Sequence, residues 1–327
     1  MRSSMNPPPT LLLSSAGRRV ELLQALQQAS RSLLGPEARV IATDLHPDLS
    51  AACALADGAY AMPRVTDPAF PDALLALCQE QGVVLVIPTI DTELLVLAQA
   101  SSAFAAADVQ VLISEPELVS ACRDKRRTAD LFAAIGLPSP AVLDPAHLRF
   151  PCFLKPVDGS CSQGVRPIPS EHHLTAAERS DPRNLFQELI PPHWQEYTVD
   201  AWYGRDGRLL AMVPRQRLET RGGEISKGIT RKDGVISLLR PCLERIQGAR
   251  GCLTVQVFTN PERDRLLGVE INPRFGGGYP LSHAAGVNFP ELLIREWLLG
   301  ETPSSIDDWQ ADLLMLRYDS MVLRADA

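Results

Sequence analysis

The feature that most limits the fold is a regular alternation along the first third of the chain. Short apolar runs are separated there by longer amphipathic stretches: LLLSS, VELLQALQQA, RVIATD, FPDALLALCQEQ, VVLVIP, TELLVLAQA and VQVLIS. Apolar runs of this length that alternate with helical patterns are typical of βαβ units, which build a parallel sheet. The sequence therefore predicts a doubly wound α/β domain over about residues 1–115.

The pattern changes after Gly136. Three short strands, FPCFLKPV, SQGVRPI and NLFQELI, surround a glycine-bearing loop, and longer candidates follow: EYTVDAWYG, GRLLAMVPRQRL, LTVQVFTN and RLLGVEINPR. Closely spaced strands with turns between them favour antiparallel pairing. Residues 116–327 are therefore expected to form an α+β region.

Composition and charge narrow the class of protein. The 327 residues are 45% hydrophobic and 22% charged, as in an ordinary globular chain. The net charge is −7, so no general positive field attracts nucleic acid or anionic lipid. We expect no nucleic-acid partner and no membrane partner.

Cysteine usage and the N-terminal residues bear on location. The seven cysteines form no CxxC pair, and an odd, scattered set does not resemble a disulfide framework. The apolar run at residues 11–13 is too short for a signal-peptide core, and no 18-residue apolar span occurs. These features predict a cytoplasmic protein.

Polar residues follow three of the predicted parallel strands, at residues 14–18, 43–44 and 89–93. Ligands of such sheets lie beyond the carboxyl ends of the strands. The first of these loops has only Gly17 where a dinucleotide site needs GxGxxG, so NAD binding is not supported. Asp44 and Asp91 are either helix N-caps or ligands.

The strongest group of candidate ligands lies on LTVQVF and LLGVEINPR. Side chains alternate along a strand, so a turn near Arg263 would place Gln256 across from Glu270, with Asn272 and Gly268 on the same face. The opposite face would then be apolar, with Val255, Val257, Val269 and Ile271. Oxygen donors with open positions suit a nucleotide-bound Mg²⁺, although a polar outer face of an ordinary hairpin has the same pattern.

A second candidate is the loop after FLKP. The segment from Lys155 to Val165 contains GxxxxG, but Val165 stands where a P-loop requires lysine, so this is not a Walker A motif. Loop N–H groups and hydroxyls could bind phosphate, with Lys155 as a point charge. The alternative is a plain hairpin turn with a solvated lysine.

Other candidates are single residues. Lys125 follows Asp124, a candidate helix N-cap, and otherwise belongs to a solvated helix face. Glu188 and Glu196 could accept from ribose hydroxyls or form surface ion pairs. The sequence has no HExxH and no GxSxG motif, so a zinc site and a hydrolase triad are unsupported.

Taken in order, DK, FLKP with its Gly/Ser loop, QELI, EYTVD, VQ and EINPR resemble the ATP-grasp superfamily. The resemblance is to short single-module relatives of the carbamoyl-phosphate synthase large subunit, and it runs over about residues 11–299. It implies a pre-ATP-grasp domain at 1–115, an ATP-grasp domain at 116–327 and a lid subdomain at about 140–188.

The resemblance also implies roles for individual residues. Lys125 and Lys155 would hold the nucleotide phosphates and Arg274 would face the transferred phosphate. The remaining nucleotide contacts would come from the lid loop, the adenine hinge and the ribose ligand: Gly159, Ser160, Ser162, Gly164, Gln187, Glu188, Leu189, Ile190 and Glu196. Gln256, Glu270 and Asn272 would hold Mg²⁺ or Mn²⁺, with Gln256 standing where an acidic ligand is frequent in the superfamily.

The implied activity is that of an ATP- and Mg²⁺-dependent carboxylate–amine ligase. An acyl phosphate would form and an amine would displace its phosphate, with Arg217 and Lys227 as candidates for substrate binding. Two alternatives stay open, namely phosphorylation or carboxylation of a bicarbonate-type substrate, and an ATP-binding regulatory module without turnover. The expected partners are a small carboxylate and an amine, and a second copy of the chain in a homodimer.

Overall fold

The N-terminal region contains the expected parallel sheet. The structure, a computed structural model, describes residues 9–157 and 164–325. The five strands of this sheet are β1 (Thr10–Ser14), β2 (Arg39–Asp44), β3 (Ala59–Ala61), β4 (Val83–Pro88) and β5 (Gln110–Val111). They lie in the order β3-β2-β1-β4-β5 and every pair is parallel. The prediction of a doubly wound parallel sheet is confirmed.

Helices cover this sheet, and its strands are apolar throughout for that reason. The helices are α1 (Val20–Leu34), α2 (Ala51–Leu55), α3 (Phe70–Gln81) and α4 (Asp91–Ala106), with a short 3-10 turn at Pro47–Leu49. Leu11, Leu12 and Leu13 are all fully buried, as expected for a strand covered on both faces. The strand order reverses between β1 and β4, so the loops after these two strands border the crevice where such sheets bind ligands.

Two helices, α5 (Pro116–Arg123) and α6 (Lys125–Ile135), lead into the second half of the chain. Asp124 caps α6 as predicted, because its side chain accepts a hydrogen bond of 2.8 Å from the backbone N–H of Arg126. Phe132 of α6 and Leu118 of α5 join the buried cluster that includes Val255 and Val257 of the predicted hairpin. The cap therefore sets the start of a helix that packs behind the candidate metal ligands.

A small antiparallel sheet follows. Its strands, in the order β6-β9-β7-β8, are β6 (Val142–Leu143), β7 (Cys152–Pro156), β8 (Arg166–Ile168) and β9 (Asn184–Glu188). The helix α7 (Ala176–Ser180) and 3-10 turns at Pro145–His147 and Glu171–His173 complete this region. Among the described residues of this region, the core is a cluster of four buried side chains, Cys152, Leu154, Ile168 and Phe186.

The largest sheet has six antiparallel strands in the order β14-β13-β10-β11-β12-β15. They are β10 (Gln195–Tyr203), β11 (Leu209–Arg221), β12 (Glu224–Thr230), β13 (Gly251–Thr259), β14 (Leu266–Asn272) and β15 (Leu314–Leu316). The helices beside it are α8 (Gly234–Leu243), α9 (Tyr279–Ala284) and α10 (Phe289–Trp297). The basic segment at 217–232 is largely a β-hairpin, made by the end of β11 and by β12.

The β13–β14 hairpin has the predicted register at the end that carries Gln256 and Glu270, and departs from it nearer the turn. Gln256 pairs with Glu270 and Thr254 with Asn272, as predicted, but a bulge at Val269 shifts the pairing so that Val257 opposes Gly268. A Cβ atom at Gly268 would lie 2.8 Å from Leu137 and 3.0 Å from Phe132, so Gly268 faces the helical layer and not the side of Glu270. The prediction that alternation continues unbroken along this strand is wrong, because a bulge adds one residue to one strand.

The described residues form one packed body with a shared core. One buried cluster includes Leu13 of β1, Trp202 of β10 and Phe289 of α10, so the parallel sheet and the six-stranded sheet pack together. The domain boundary at 115 and the lid at about 140–188 remain predictions. Within the described ranges, no helix has the length and apolar character needed to cross a membrane.

Candidate functional site

A cavity of about 350 Å³ lies between the four-stranded sheet and the β13–β14 hairpin. Its apolar wall comes from strands and loops on both sides, namely Phe153, Val165, Ile190, Trp194, Phe258 and Val269. Its polar groups are Lys125, Lys155, Glu188, Glu196, Gln256 and Glu270. Apolar walls with a few convergent polar groups are typical of small-molecule sites.

Lys155 is the most perturbed of these polar groups. It lies on β7, is 5% exposed, and makes no hydrogen bond or ion pair with the described residues. Burial and, to a smaller extent, the nearby charge of Lys125 lower the pKa of Lys155 to about 8, with Glu270 acting in the opposite direction. Two lysines at one wall of a cavity form a site that favours an anion.

Glu196 links the cavity to Arg217. Its Oε1 atom accepts a 2.6 Å hydrogen bond from Nη1 of Arg217 and a second from Nε2 of Gln256. Burial raises the pKa of Glu196, while Arg217 and Gln256 act in the opposite direction. The pair fixes the Glu196 carboxylate and leaves its second oxygen without a donor among the described residues.

The three predicted metal ligands present oxygen atoms that are open to a ligand. Gln256 uses its Nε2 atom for Glu196, which leaves its Oε1 atom as an acceptor. Within the described ranges, no group donates a hydrogen bond to the side chains of Glu270 or Asn272. No cluster of three His, Cys, Asp or Glu residues occurs there either, so the site is one carboxylate with two amides, as the sequence indicates. One carboxylate with amide oxygens fits Mg²⁺ that also shares phosphate oxygens.

A smaller gap of about 20 Å³ continues from this cavity toward the parallel sheet. Lys125 and Glu270 border both spaces, while Asn272 and Asp91 border only the gap. The volume is sufficient for about one water molecule. The gap thus lies between β14 and the first turns of α4.

Arg274 is paired with Asp91, one of the residues that border this gap. Its Nη2 atom donates a 2.7 Å hydrogen bond to Oδ2 of Asp91, and both side chains are largely buried. Burial lowers the pKa of Arg274, but the carboxylates of Asp91 and Glu270 more than offset this effect, so that its pKa is raised overall. Oδ1 of Asp91 and Nε of Arg274 are buried and have no hydrogen-bond partner among the described residues.

The structure brings most of the predicted residues to this site. Gln187, Glu188, Leu189 and Ile190 line the cavity beside β9. Gly164 has a left-handed φ of 71°, next to Pro156. Gly159, Ser160 and Ser162 lie outside the described residues. Lys227 is elsewhere, because its Nζ atom forms a 2.6 Å ion pair with Glu219 on an exposed part of the β11–β12 hairpin.

The two open interpretations of Asp44 and Asp91 are resolved against helix capping. Asp44 accepts a 2.9 Å hydrogen bond from the N–H of Gly17, in the loop after β1, and Asp91 pairs with Arg274 as the first residue of α4. Sequence reasoning missed Trp194 and Phe153, which form part of the cavity wall. The PPHW segment directly after QELI was the available signal.

Comparisons with protein families match both halves of the chain. Residues 11–112 match a family model described as "PylC-like, N-terminal domain". Residues 183–319 match a model described as "ATP-grasp in the biosynthetic pathway with Ter operon". A search of curated proteins found no match to the sequence.

Solved structures resemble the chain over nearly its whole length. The biotin carboxylase domain of Hydrogenobacter thermophilus 2-oxoglutarate carboxylase, crystallised as a dimer with MgADP, ADP and bicarbonate, has a TM-score of 0.72 at 16% identity, over 94% of this chain and 73% of that one. The N5-carboxyaminoimidazole synthetase of Staphylococcus aureus, complexed with ADP, has a TM-score of 0.70 at 16% identity, over 91% and 79%. Campylobacter jejuni biotin carboxylase has a TM-score of 0.72 at 13% identity, over 95% and 75%.

Proposed function

Because the chain has the ATP-grasp fold behind a PylC-like N-terminal domain, we propose that it is an ATP- and Mg²⁺-dependent carboxylate–amine ligase. Its products would be ADP, phosphate and an amide or peptide-like bond between small molecules. The observation that carries the proposal is the buried Lys155 beside Lys125, in a cavity that also holds Glu196, Gln256 and Glu270.

The cavity suits a nucleotide in each of its parts. Adenine would lie against the apolar wall beside Leu189 and Ile190, and the free oxygen of Glu196 would accept from a ribose hydroxyl. Lys125 and Lys155 would bind the phosphates, since an anion would relieve the repulsion between these two ammonium groups. The solved neighbours crystallised with ADP support this assignment.

The hairpin would hold the metal ion. Gln256, Glu270 and Asn272 would supply the protein oxygens, and Mg²⁺, when bound, would neutralise charge on the phosphates. A neutral Gln256 leaves this set with one fewer negative charge than an acidic ligand would. Mn²⁺ is expected to substitute because it accepts the same oxygen donors.

The reaction would need positioning and electrostatic stabilisation more than a protein nucleophile. A substrate carboxylate would attack the γ-phosphate of ATP to give an acyl phosphate and ADP, and an amine would then displace phosphate and release a proton. Lys155 and Arg274 would stabilise charge on the transferred group. The four-stranded sheet, with its small core, would close over the site and exclude water.

The test is ADP release from Mg²⁺-ATP with a panel of carboxylic acids, amino acids and bicarbonate, with hydroxylamine added to trap an acyl phosphate as a hydroxamate. We expect ADP and hydroxamate to depend on one acid. Bicarbonate-dependent ADP release with no hydroxamate from any organic acid would favour the carboxylase-type alternative. ATP binding without ADP release across the panel would favour a regulatory module, and a chain that does not bind ATP would contradict the proposal.

Assembly and location are part of the same proposal. A homodimer and a cytoplasmic location follow from the sequence-based predictions, and dimerisation is supported by the dimeric biotin carboxylase domain among the structural neighbours. Sedimentation velocity of the purified chain would test the homodimer, since a monomer at all concentrations would contradict it.

A further inference from the structure

A second cluster of charged side chains lies around the backbone of Gly277, and its members are not among the residues that line the nucleotide cavity. We define the arginine cleft by three guanidinium groups and two carboxylates: Arg19, Arg274, Arg317, Asp91 and Glu224. It joins the loop after β1, the start of α4, the β12 strand, the segment after β14 and the residue after β15. The proposed function uses only one of these groups, Arg274.

Four of the five charges in the arginine cleft are paired, and the exposed Arg18 adds a further cation 3.6 Å from Glu224. Arg274 donates to Asp91 at 2.7 Å, and Nη1 of Arg317 lies 3.4 Å from Oε2 of Glu224. Nη2 of Arg317 also donates a 2.8 Å hydrogen bond to the carbonyl of Gly277. Through Arg317, these contacts join the end of β15 to β12 and to the loop that contains Gly277.

Arg19 is the member of the cleft that has no partner of opposite charge among the described residues. Its guanidinium makes no hydrogen bond or ion pair with the part of the chain that the structure describes, although it is only partly exposed. A Cβ atom at Gly277 would lie 3.0 Å from both Nη1 of Arg19 and Oε1 of Glu224, so these groups surround the Gly277 backbone. Burial lowers the pKa of Arg19, and the charges of Arg274 and Arg317 lower it further, against Glu224 and Asp91. A partly buried cation beside other cations is stabilised by a bound anion.

The loop that carries Arg19 is held in one conformation. Ser15 has a left-handed φ of 51°, which is unfavourable for a residue with a side chain, and Gly17 has a φ of 50°. The backbone carbonyl of Ser15 accepts from Oγ1 of Thr89 at 2.8 Å, and that of Gly17 accepts from Oγ of Ser50 at 2.9 Å. Strain that is held in place by surrounding hydrogen bonds is common where a loop presents a functional side chain.

We propose that the arginine cleft binds a second carboxylate of the acid substrate, with Arg19 as its anchor. This inference rests on the proposed function and deepens it, because it restricts the acid to molecules that carry an anionic group besides the one to be activated. One unpaired guanidinium matches one monovalent oxyanion, since the other two arginines already face carboxylates. None of the five residues of the cleft lines the nucleotide cavity, so we assign this carboxylate a position apart from the phosphate-binding lysines.

The direct test measures access to Arg19 and does not depend on turnover. The full-length protein is labelled with phenylglyoxal in the presence of excess succinate or of neutral succinamide, and labelling of each arginine is followed by peptide mass spectrometry. Arg64 is the reference, because it is exposed and has no ion pair among the described residues. We expect succinate to slow labelling of Arg19 several-fold without slowing that of Arg64, and succinamide to slow neither.

Equal protection of Arg19 and Arg64, or no protection of Arg19 by succinate, would overturn the inference. A second measurement uses Arg19→Gln, Arg19→Lys and the control Arg64→Gln in the ADP-release assay. Losing a charge-assisted contact predicts a KM for the acid about 10- to 100-fold higher in Arg19→Gln. Arg19→Lys is expected to recover part of that loss, with kcat and ATP affinity within about twofold of the unsubstituted chain.

The failures of the two proposals can be told apart. If ATP fails to bind or no acid stimulates ADP release, the ligase assignment fails, and protection of Arg19 still reports on the cleft. If an acid stimulates ADP release but Arg19→Gln leaves its KM unchanged, the cleft assignment is wrong and the ligase assignment stands.

Discussion

The nucleotide cavity and the arginine cleft are built in different ways. The cavity takes its polar groups from strands and from the residues next to them, so that Gln256 and Glu270 face each other through one hairpin register. The cleft takes its groups from five segments that are distant in sequence, and an N-terminal loop meets Gly277 there. A site on paired strands is set by local alternation, whereas a site between loops depends on how the two halves of the chain pack.

The largest expected effect is a loss of stability on breaking a buried ion pair that lies behind the arginine cleft and not behind the nucleotide cavity. Asp200 and Arg215 form a fully buried pair with contacts of 2.8 and 2.9 Å, and Ser282 donates to Asp200 at 2.6 Å. Breaking such a pair leaves an unpaired buried charge, so Asp200→Ala should lower the free energy of unfolding by about 3–5 kcal/mol. Urea denaturation would measure this, and a loss below about 1 kcal/mol would contradict it.

The position of that pair makes the prediction sharper. A Cβ atom at Gly278 would lie 2.1 Å from Nη1 of Arg215, so the pair lies directly behind the loop that borders the cleft. Under conditions where Asp200→Ala remains folded, its KM for the acid should rise more than its dissociation constant for ATP. An equal increase in the KM for the acid and in the dissociation constant for ATP would indicate that the Asp200–Arg215 pair stabilises both sites.

The next effect concerns the cavity alone. Glu270→Gln removes the single carboxylate among the predicted metal ligands, and metal stabilisation of a phosphoryl transition state is worth several kcal/mol. ADP release should fall about 100-fold or more, while binding of ATP without Mg²⁺ changes little. The exposed Glu37→Gln is the matched control and should retain full activity. Unchanged turnover in Glu270→Gln would contradict the metal assignment.

A pH effect of intermediate size follows from Lys155. Its pKa of about 8 lies in a range where ATP is already fully ionised, and Lys125 and Glu270 are the charged groups near it. If only the protonated lysine binds phosphate, affinity for ATP should fall about tenfold between pH 7 and pH 9. A titration with Lys155→Arg should be flat over this range, and an equal slope in that variant would exclude Lys155 as the cause.

The same lysine should make stability change in the opposite direction. Its folded pKa is below the ordinary lysine value of 10.5, so the unfolded chain binds more protons between about pH 8 and pH 10.5. The free energy of unfolding of the protein without ATP should therefore gain a rising contribution from Lys155 across that window. Lys155→Met, compared with the unsubstituted chain at both ends of the window, would measure that contribution.

The smallest expected effect tests the loop that presents Arg19. Gly17→Ala forces a side chain into a left-handed conformation and should cost about 1 kcal/mol of stability. Gly82→Ala is the matched control, since Gly82 has a similar φ of 64° and ends α3 away from the cleft. Both variants should lose similar stability in urea denaturation, but only Gly17→Ala should raise the KM for the acid.

Sequence reasoning reached the parallel sheet, the Asp124 cap and the pairing of Gln256 with Glu270, because each depends on local periodicity or on neighbouring residues. It did not identify Arg19 as a candidate site residue, because nothing in the sequence distinguishes Arg19 from the adjacent Arg18. The contacts that define its surroundings come from Gly277 and Glu224, more than 200 positions away. Periodicity carries no information on which loops meet across a packed interface.

The bulge at Val269 shifts the alternation of side chains along β14 by one residue. Before it, the strand has Gly268 toward the helical layer, where α6 leaves no room for a Cβ atom, and after it Glu270 faces the cavity. Val269 itself lines the cavity next to Glu270. Deleting Val269 would restore regular alternation, with Val257 still opposite Gly268 and Gln256 still opposite Glu270, and would remove one apolar side chain from the cavity wall. The bulge thus adds a cavity-facing residue to this strand without changing the face on which the Glu270 carboxylate lies.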